Sequence, residues 1–142
     1  MKHLRLSLFV TLVSIFSCLS VSAQVFSQMP EKQRNAALTK IAKKFYRHPK
    51  FKFAYKLWGM MGTPTITSFK GNMVPYYAPN KAQVEEEMGQ LTYMVNIYAK
   101  SDHPEWKTVA ARVYISDKAG IAYYIVFADN TCLSIWSKSY RE

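Results

Sequence analysis

Cysteine is scarce in this chain, with two among 142 residues, Cys18 and Cys132. Once the N-terminal leader of residues 1–23 is removed only Cys132 remains, which excludes an intramolecular disulfide framework. Nothing around Cys132 matches a cysteine-enzyme signature, and His48 and His103 stand at no diagnostic spacing from it. It therefore reads as a small buried hydrophobe of a strand. Catalytic and cofactor motifs are missing as well: there is no glycine-rich phosphate loop, GxSxG, HExxH or CxxC. No cofactor is expected, and catalysis is not. Asp102-His103-Pro104-Glu105 packs three ligand types into four residues. Zinc needs ligands converging from separate elements, and Pro104 makes this stretch a turn, so no metal is expected there. Met60, Met61 and Met73 have soft-ion ligand chemistry, but Met60 and Met61 read as packing beneath a hairpin. After the leader no apolar run approaches the ~20 residues of a membrane-spanning helix, which leaves the rest of the chain without an anchor.

Acid is the most conspicuous absence. Between Glu31 and Glu85 there is no Asp or Glu, while Lys32, Arg34, Lys40, Lys43, Lys44, Arg47, Lys50, Lys52, Lys56, Lys70 and Lys81 fall in that stretch. From Glu85 onward acids outnumber bases. Of the formal net charge of +10, Lys2 and Arg5 belong to the leader, and the rest of the excess lies between residues 32 and 84. An asymmetry of this kind points to an anionic partner and carries no information about fold.

What is present begins with MKHLRLSLFVTLVSIFSCLSVSAQ. A basic start, an apolar run from Leu6 to about Leu19 and the small residues of Val21-Ser22-Ala23 make a secretory signal peptide, with cleavage predicted after Ala23. Lipid attachment at Cys18 is disfavoured because the bulky Phe16 stands where a small residue is usual. Residues 24–142 then have the length of one domain. An exported domain with one cysteine leans towards a bacterial periplasmic or secreted protein, since small eukaryotic extracellular domains are usually disulfide-rich.

Residues 30–47 carry a helical period: Leu38, Ile41, Ala42 and Phe45 on one side, and Lys32, Lys40, Lys43, Lys44 and Arg47 on the other. His48-Pro49 ends that helix. Residues 51–58, FKFAYKLW, alternate with period two. They read as a half-buried strand with Phe51, Phe53, Tyr55 and Leu57 inward and a face of Lys52, Ala54 and Lys56 outward. GMMGTP ends it, and TITSF and MVPYY read as a hairpin turning at Gly71-Asn72, with Pro75 at its edge. Asn80 as N-cap, Gln83, and the early acids Glu85, Glu86 and Glu87 begin a second helix of about residues 81–100, in which Val84, Met88, Leu91, Val95 and Tyr98 step by four and three. The run Glu85–Glu87 is accounted for by the helix dipole and solvation. TVAARVYIS, IAYYIVFA and TCLSIWSK form a three-stranded C-terminal meander turning at DKAG and DN. In the middle strand Tyr123, Ile125 and Phe127 share one face and Ala122, Tyr124 and Val126 the other.

The expected fold class is α+β: two helices packed on a curved antiparallel sheet with a C-terminal meander. In element order this resembles cystatin-like and NTF2-like architectures, which host many unrelated functions. The expected function is binding, with Lys40, Lys43, Lys44, Arg47, Lys50, Lys52 and Lys56 forming a basic helix-strand surface for an acidic protein, as in an inhibitor or immunity-type protein, or for an anionic envelope polymer. Nucleic acid fits less well, because an exported chain meets it only outside the cytoplasm and the strand aromatics are expected to point inward. The alternative is a small-ligand carrier or degenerate enzyme whose pocket lies between helices and sheet, lined by Tyr55, Trp58, Tyr123, Tyr124 and Trp136.

Overall fold

Residues 26–102, 105 and 107–142 are described by the computed structural model. The leader, with Cys18 and the Ala23 cleavage position, lies outside them, as do His103, Pro104 and Trp106. A 3₁₀ turn at Phe26–Gln28 leads into α1 (Glu31–Tyr46), a second 3₁₀ turn (Pro49–Phe51) and α2 (Lys52–Trp58). Then come β1 (Met61–Lys70), α3 (Lys81–Met88), β2 (Leu91–Tyr98), β3 (Val109–Ser116), β4 (Ala122–Phe127), β5 (Cys132–Ser134) and α4 (Lys138–Arg141). The five strands form one antiparallel sheet in the order β1-β2-β3-β4-β5, so each strand lies beside its neighbour in sequence. The fold is α+β, and its C-terminal strands form the expected meander.

Of the predicted face of α1, Leu38, Ala42 and Phe45 are buried against the sheet and Ile41 is half-buried, while Tyr46, outside that face, is buried with them beside Tyr93, Val95, Ile97, Ala111, Val113, Ile125 and Phe127. Its ending is also a beginning. The His48 ring nitrogen Nδ1 accepts the Lys50 amide (3.2 Å), and Pro49 occupies the first position of the 3₁₀ turn that opens α2, where its fixed φ suits a helical start.

Residues 51–58 are therefore not a strand. Phe51 and Ala54 are fully buried and Trp58 half-buried, a stripe at i, i+3 and i+7, while Phe53, Tyr55 and Leu57 are exposed. The same letters satisfy both periods. What decides between them is Phe127, around which Tyr46, Phe51, Phe53 and Trp58 gather with ring centroids 6.5, 5.4, 5.5 and 6.2 Å away. The Tyr46 hydroxyl donates to the Gly59 carbonyl at the end of α2 (3.0 Å), closing the corner between the two helices.

The helix predicted for 81–100 is cut in half at Gly89, whose φ of 70° and ψ of −168° only glycine adopts freely. Beyond it Tyr93, Val95 and Ile97 alternate inward as β2. Asn80 makes no side-chain cap bond, and no acid stands in the first turn of α3, so Glu86 and Glu87 lie exposed near its C-terminal end. Nor is there a hairpin at Gly71-Asn72: β1 pairs with β2 across the whole intervening segment. Residues after Gly71 fold over the sheet instead, held by a relay in which the Met73 amide donates to Tyr123 (3.0 Å), the Tyr123 hydroxyl to Thr92 (3.1 Å) and the Thr92 hydroxyl to the Gly71 carbonyl (2.7 Å).

α3 covers the face opposite α1, where Val84 and Met88 meet Tyr114 and Tyr123. A register shift in the β3–β4 pair leaves Tyr123 unmatched and exchanges it with Ala122. Ala122 joins Ile125 and Phe127 under α1 while Tyr123 turns to the α3 side, reversing the predicted faces at those two positions. At the end of the inner strand β3, Ser27 donates its amide to Asp117 Oδ1 (2.8 Å) and its hydroxyl to Oδ2 (2.9 Å), and Phe26 meets Tyr93 of β2 edge-on at 6.1 Å.

Candidate functional site

Of the seven cations singled out by sequence, four line one furrow on α1 and three follow on the 3₁₀ turn and α2, linked to them by the Arg47–Tyr55 contact. At about 100° per residue, Lys40, Lys43, Lys44 and Arg47 share the outer side of α1, and with His48 and Pro49 they line one open furrow. Lys50 is exposed on the 3₁₀ turn. Lys52 and Lys56 are exposed one turn apart on α2, so the helix keeps them outward, although Ala54, which the alternation groups with them, turns into the core. Of the seven only Lys43 is half-buried.

Their electrostatics are one-sided. Among the described residues none of the seven is in an ion pair; the pairs there are Lys81–Glu85 at 3.5 Å and Lys138–Glu142 at 3.4 Å. The Arg47 guanidinium lies 5.8 Å from the centre of the Tyr55 ring, a cation–π contact that leaves its charge uncompensated. Glu85–Glu87 sit on α3, across the sheet. Tyr140 stacks against His48 at 5.2 Å and Phe45 at 6.0 Å, which brings α4 with Lys138 and Arg141 beside the corner. No signal in the sequence joined those two cations to the surface, because the link is a ring contact between residues 92 positions apart, made by Tyr140 just beyond the last predicted strand.

The five residues of the alternative pocket do not come together. Tyr55 and Trp58 lie on the α1 and α2 side, against Tyr46 and Phe127, whereas Tyr123, Tyr124 and Trp136 lie on the α3 side of the sheet. Cys132 is exposed and not buried. It is paired in register with Val126 on the α3 side, and burial first, then this thiol, push the Tyr124 hydroxyl above its ordinary range. Met60 packs into the core under the helices, Met61 receives the Ser101 amide on its sulfur (3.1 Å), and Met73 lies exposed beyond the far end of β1. The three methionines are thus not gathered at one point. Among the described residues no three of His, Cys, Asp and Glu converge on a common point.

One polar pair is not evident from the sequence pattern. Arg112 and Asn96 face each other across β3 and β2, side by side on the α3-side face. Asn96 donates its amide to Thr65 (3.2 Å), and its Oδ1 is buried with no partner. The sequence shows the single charge of Arg112 within TVAARVYIS and nothing that sets it beside Asn96.

Comparison of the chain with protein-family models, with curated proteins and with solved structures finds no match.

Proposed function

We propose that this chain is an exported, non-enzymatic binding protein that holds an anionic partner on the surface formed by α1, the His48–Pro49 corner and α2. What supports the reading is that Lys40, Lys43, Lys44, Arg47, Lys50, Lys52 and Lys56 lie exposed or half-buried along α1, the corner and α2, and that among the described residues no acid is paired with any of them. Lysines on the polar side of a helix are what any folded domain uses. Domains that use them only for solvation intersperse both signs, and here one sign runs unbroken from residue 32 to 84. The export half of the proposal rests on the leader of residues 1–23. No helix among the described residues is long and apolar enough to cross a membrane, and with the leader the reading puts the partner in the periplasm or beyond.

The test is retention of the exported protein on immobilised heparin under a salt gradient. Replacing Lys43, Lys44 and Lys52 by Glu is expected to move elution to markedly lower salt. The same charge change at Lys70, Lys100 and Lys118 should leave most of the retention in place. Equal effects from the two triple variants would show net charge at work with no localised surface, and the proposal would fail.

A further inference from the structure

The basic surface is not purely polar. On α2 the exposed residues fall into two adjoining strips at helical spacing. Lys52 and Lys56 make one, and Phe53 and Leu57, 49% and 70% exposed, make the other. Tyr55 is exposed beside them at 38%. A seven-residue helix that leaves a Phe and a Leu in water, one turn apart and next to two lysines, has its outer face patterned for a boundary between an apolar and a charged phase.

The kind of cation narrows the partner further. Six of the seven are Lys and one is Arg. Protein interfaces favour Arg, whose planar fork pairs bidentately with carboxylates, and are depleted in Lys. Lysine is a hydrated point charge on a flexible stem, suited to a fluid layer of phosphates that offers no fixed partner atom, and its stem can lie along apolar groups while its ammonium stays at the headgroups.

Resting on the basic-surface reading above, we propose that the α1–α2 corner docks on an anionic phospholipid bilayer. Phe53 and Leu57 enter the boundary between headgroups and acyl chains. Arg47, Lys50, Lys52 and Lys56 lie on the lipid phosphates around them. The corner is prefixed for this role: the buried Phe127, against which the inner side of the Phe53 ring rests, and the Tyr46–Gly59 hydrogen bond hold α2 so that Leu57 and the outer half of Phe53 face outward.

Sedimentation of the exported protein with vesicles tests this. Phosphatidylcholine vesicles containing phosphatidylglycerol are expected to carry it down, vesicles of phosphatidylcholine alone are not, and 0.5 M salt should release it. Leu57→Ser, at the most exposed position, and Phe53→Ser/Leu57→Ser should each lower partitioning onto anionic vesicles, the double variant by about tenfold or more, with heparin retention unchanged. Unchanged vesicle binding in Leu57→Ser overturns the apolar part and with it the inference. Heparin retention without vesicle binding also overturns it, leaving the basic surface to an acidic protein or polymer. Loss of both in the unmodified protein removes this inference and the function it rests on together.

Discussion

Tyr46 is buried to its tip and spends its hydroxyl on the Gly59 carbonyl. Burial, and then the neighbouring Tyr55, push its pKa from 10.0 up to about 12. A phenol that holds its proton longer in the folded than in the unfolded chain contributes stability that is complete below pH 10 and is lost as pH rises through 12, because the native state then binds more protons than the unfolded one. Stability measured by urea unfolding should accordingly fall across that window, and the fall should be shallower in Tyr46→Phe. The variant should also lose about 1 kcal/mol at neutral pH, where the Gly59 carbonyl is left without its donor. An identical alkaline slope in the two proteins would remove Tyr46 from this role. None of this can be read from the sequence, whose helical period leaves Tyr46 off the predicted buried face, because the hydroxyl's partner is defined only once residues 51–58 are known to be a helix.

Elements are legible where one period rules and illegible where two fit. α1 has a single period, and its start, its end and the buried Leu38, Ala42 and Phe45 are readable, with Tyr46 the exception. FKFAYKLW obeys both a period of two through Phe51, Phe53, Tyr55 and Leu57 and a helical one through Phe51, Ala54 and Trp58. The choice is made by Phe127, remote in sequence, and by a helix-starting Pro49. LTYMVNIY likewise continues the four-three stepping of α3, yet pairs as a strand on both sides. There the local signal is Gly89, which the stepping alone treats as an ordinary helix residue. A Cβ at that position would stand 3.0 Å from the Lys118 Cβ, on a backbone at φ 70°. Gly89→Ala is therefore expected to cost about 2 kcal/mol, read as a lower urea midpoint with an unchanged m-value. A variant as stable as the parent would mean that the α3–β2 break is set elsewhere. Of the candidate site, the cations are legible as residues and their arrangement is not, since Lys52 and Lys56 reach the surface for a different reason from the one the strand reading gives.

At the scale of the whole molecule, cations without acidic partners crowd α1 and α2 on one side of the sheet, whereas the other carries Glu85–Glu87 together with Lys81, Lys118 and Arg112. This crowding has a cost inside the helices. Lys40 and Lys44, Lys43 and Arg47, and Lys52 and Lys56 are like charges one turn apart, each pair destabilising by roughly 0.2–0.5 kcal/mol at low salt. Thermal stability should therefore rise as NaCl is raised from about 10 mM to about 300 mM, where screening shortens to a few ångströms. Lys43→Glu and Lys52→Glu should be as stable as the parent or more so while they weaken retention. Stability that falls with salt would point to attractive pairs and against this crowding. The sequence shows the imbalance because counting charge needs no fold; which side of the sheet carries it needs the register.

The clasp of Ser27 on Asp117 joins positions 90 apart in sequence. Asp117 is itself held beside the start of β2 by its amide on the Leu91 carbonyl (3.0 Å), and Phe26 packs on Tyr93 of β2 next to it. The 3₁₀ turn ahead of α1 is therefore fastened to the two inner strands at their paired ends, and the start of the described chain is anchored only in a molecule whose β2 and β3 already lie side by side.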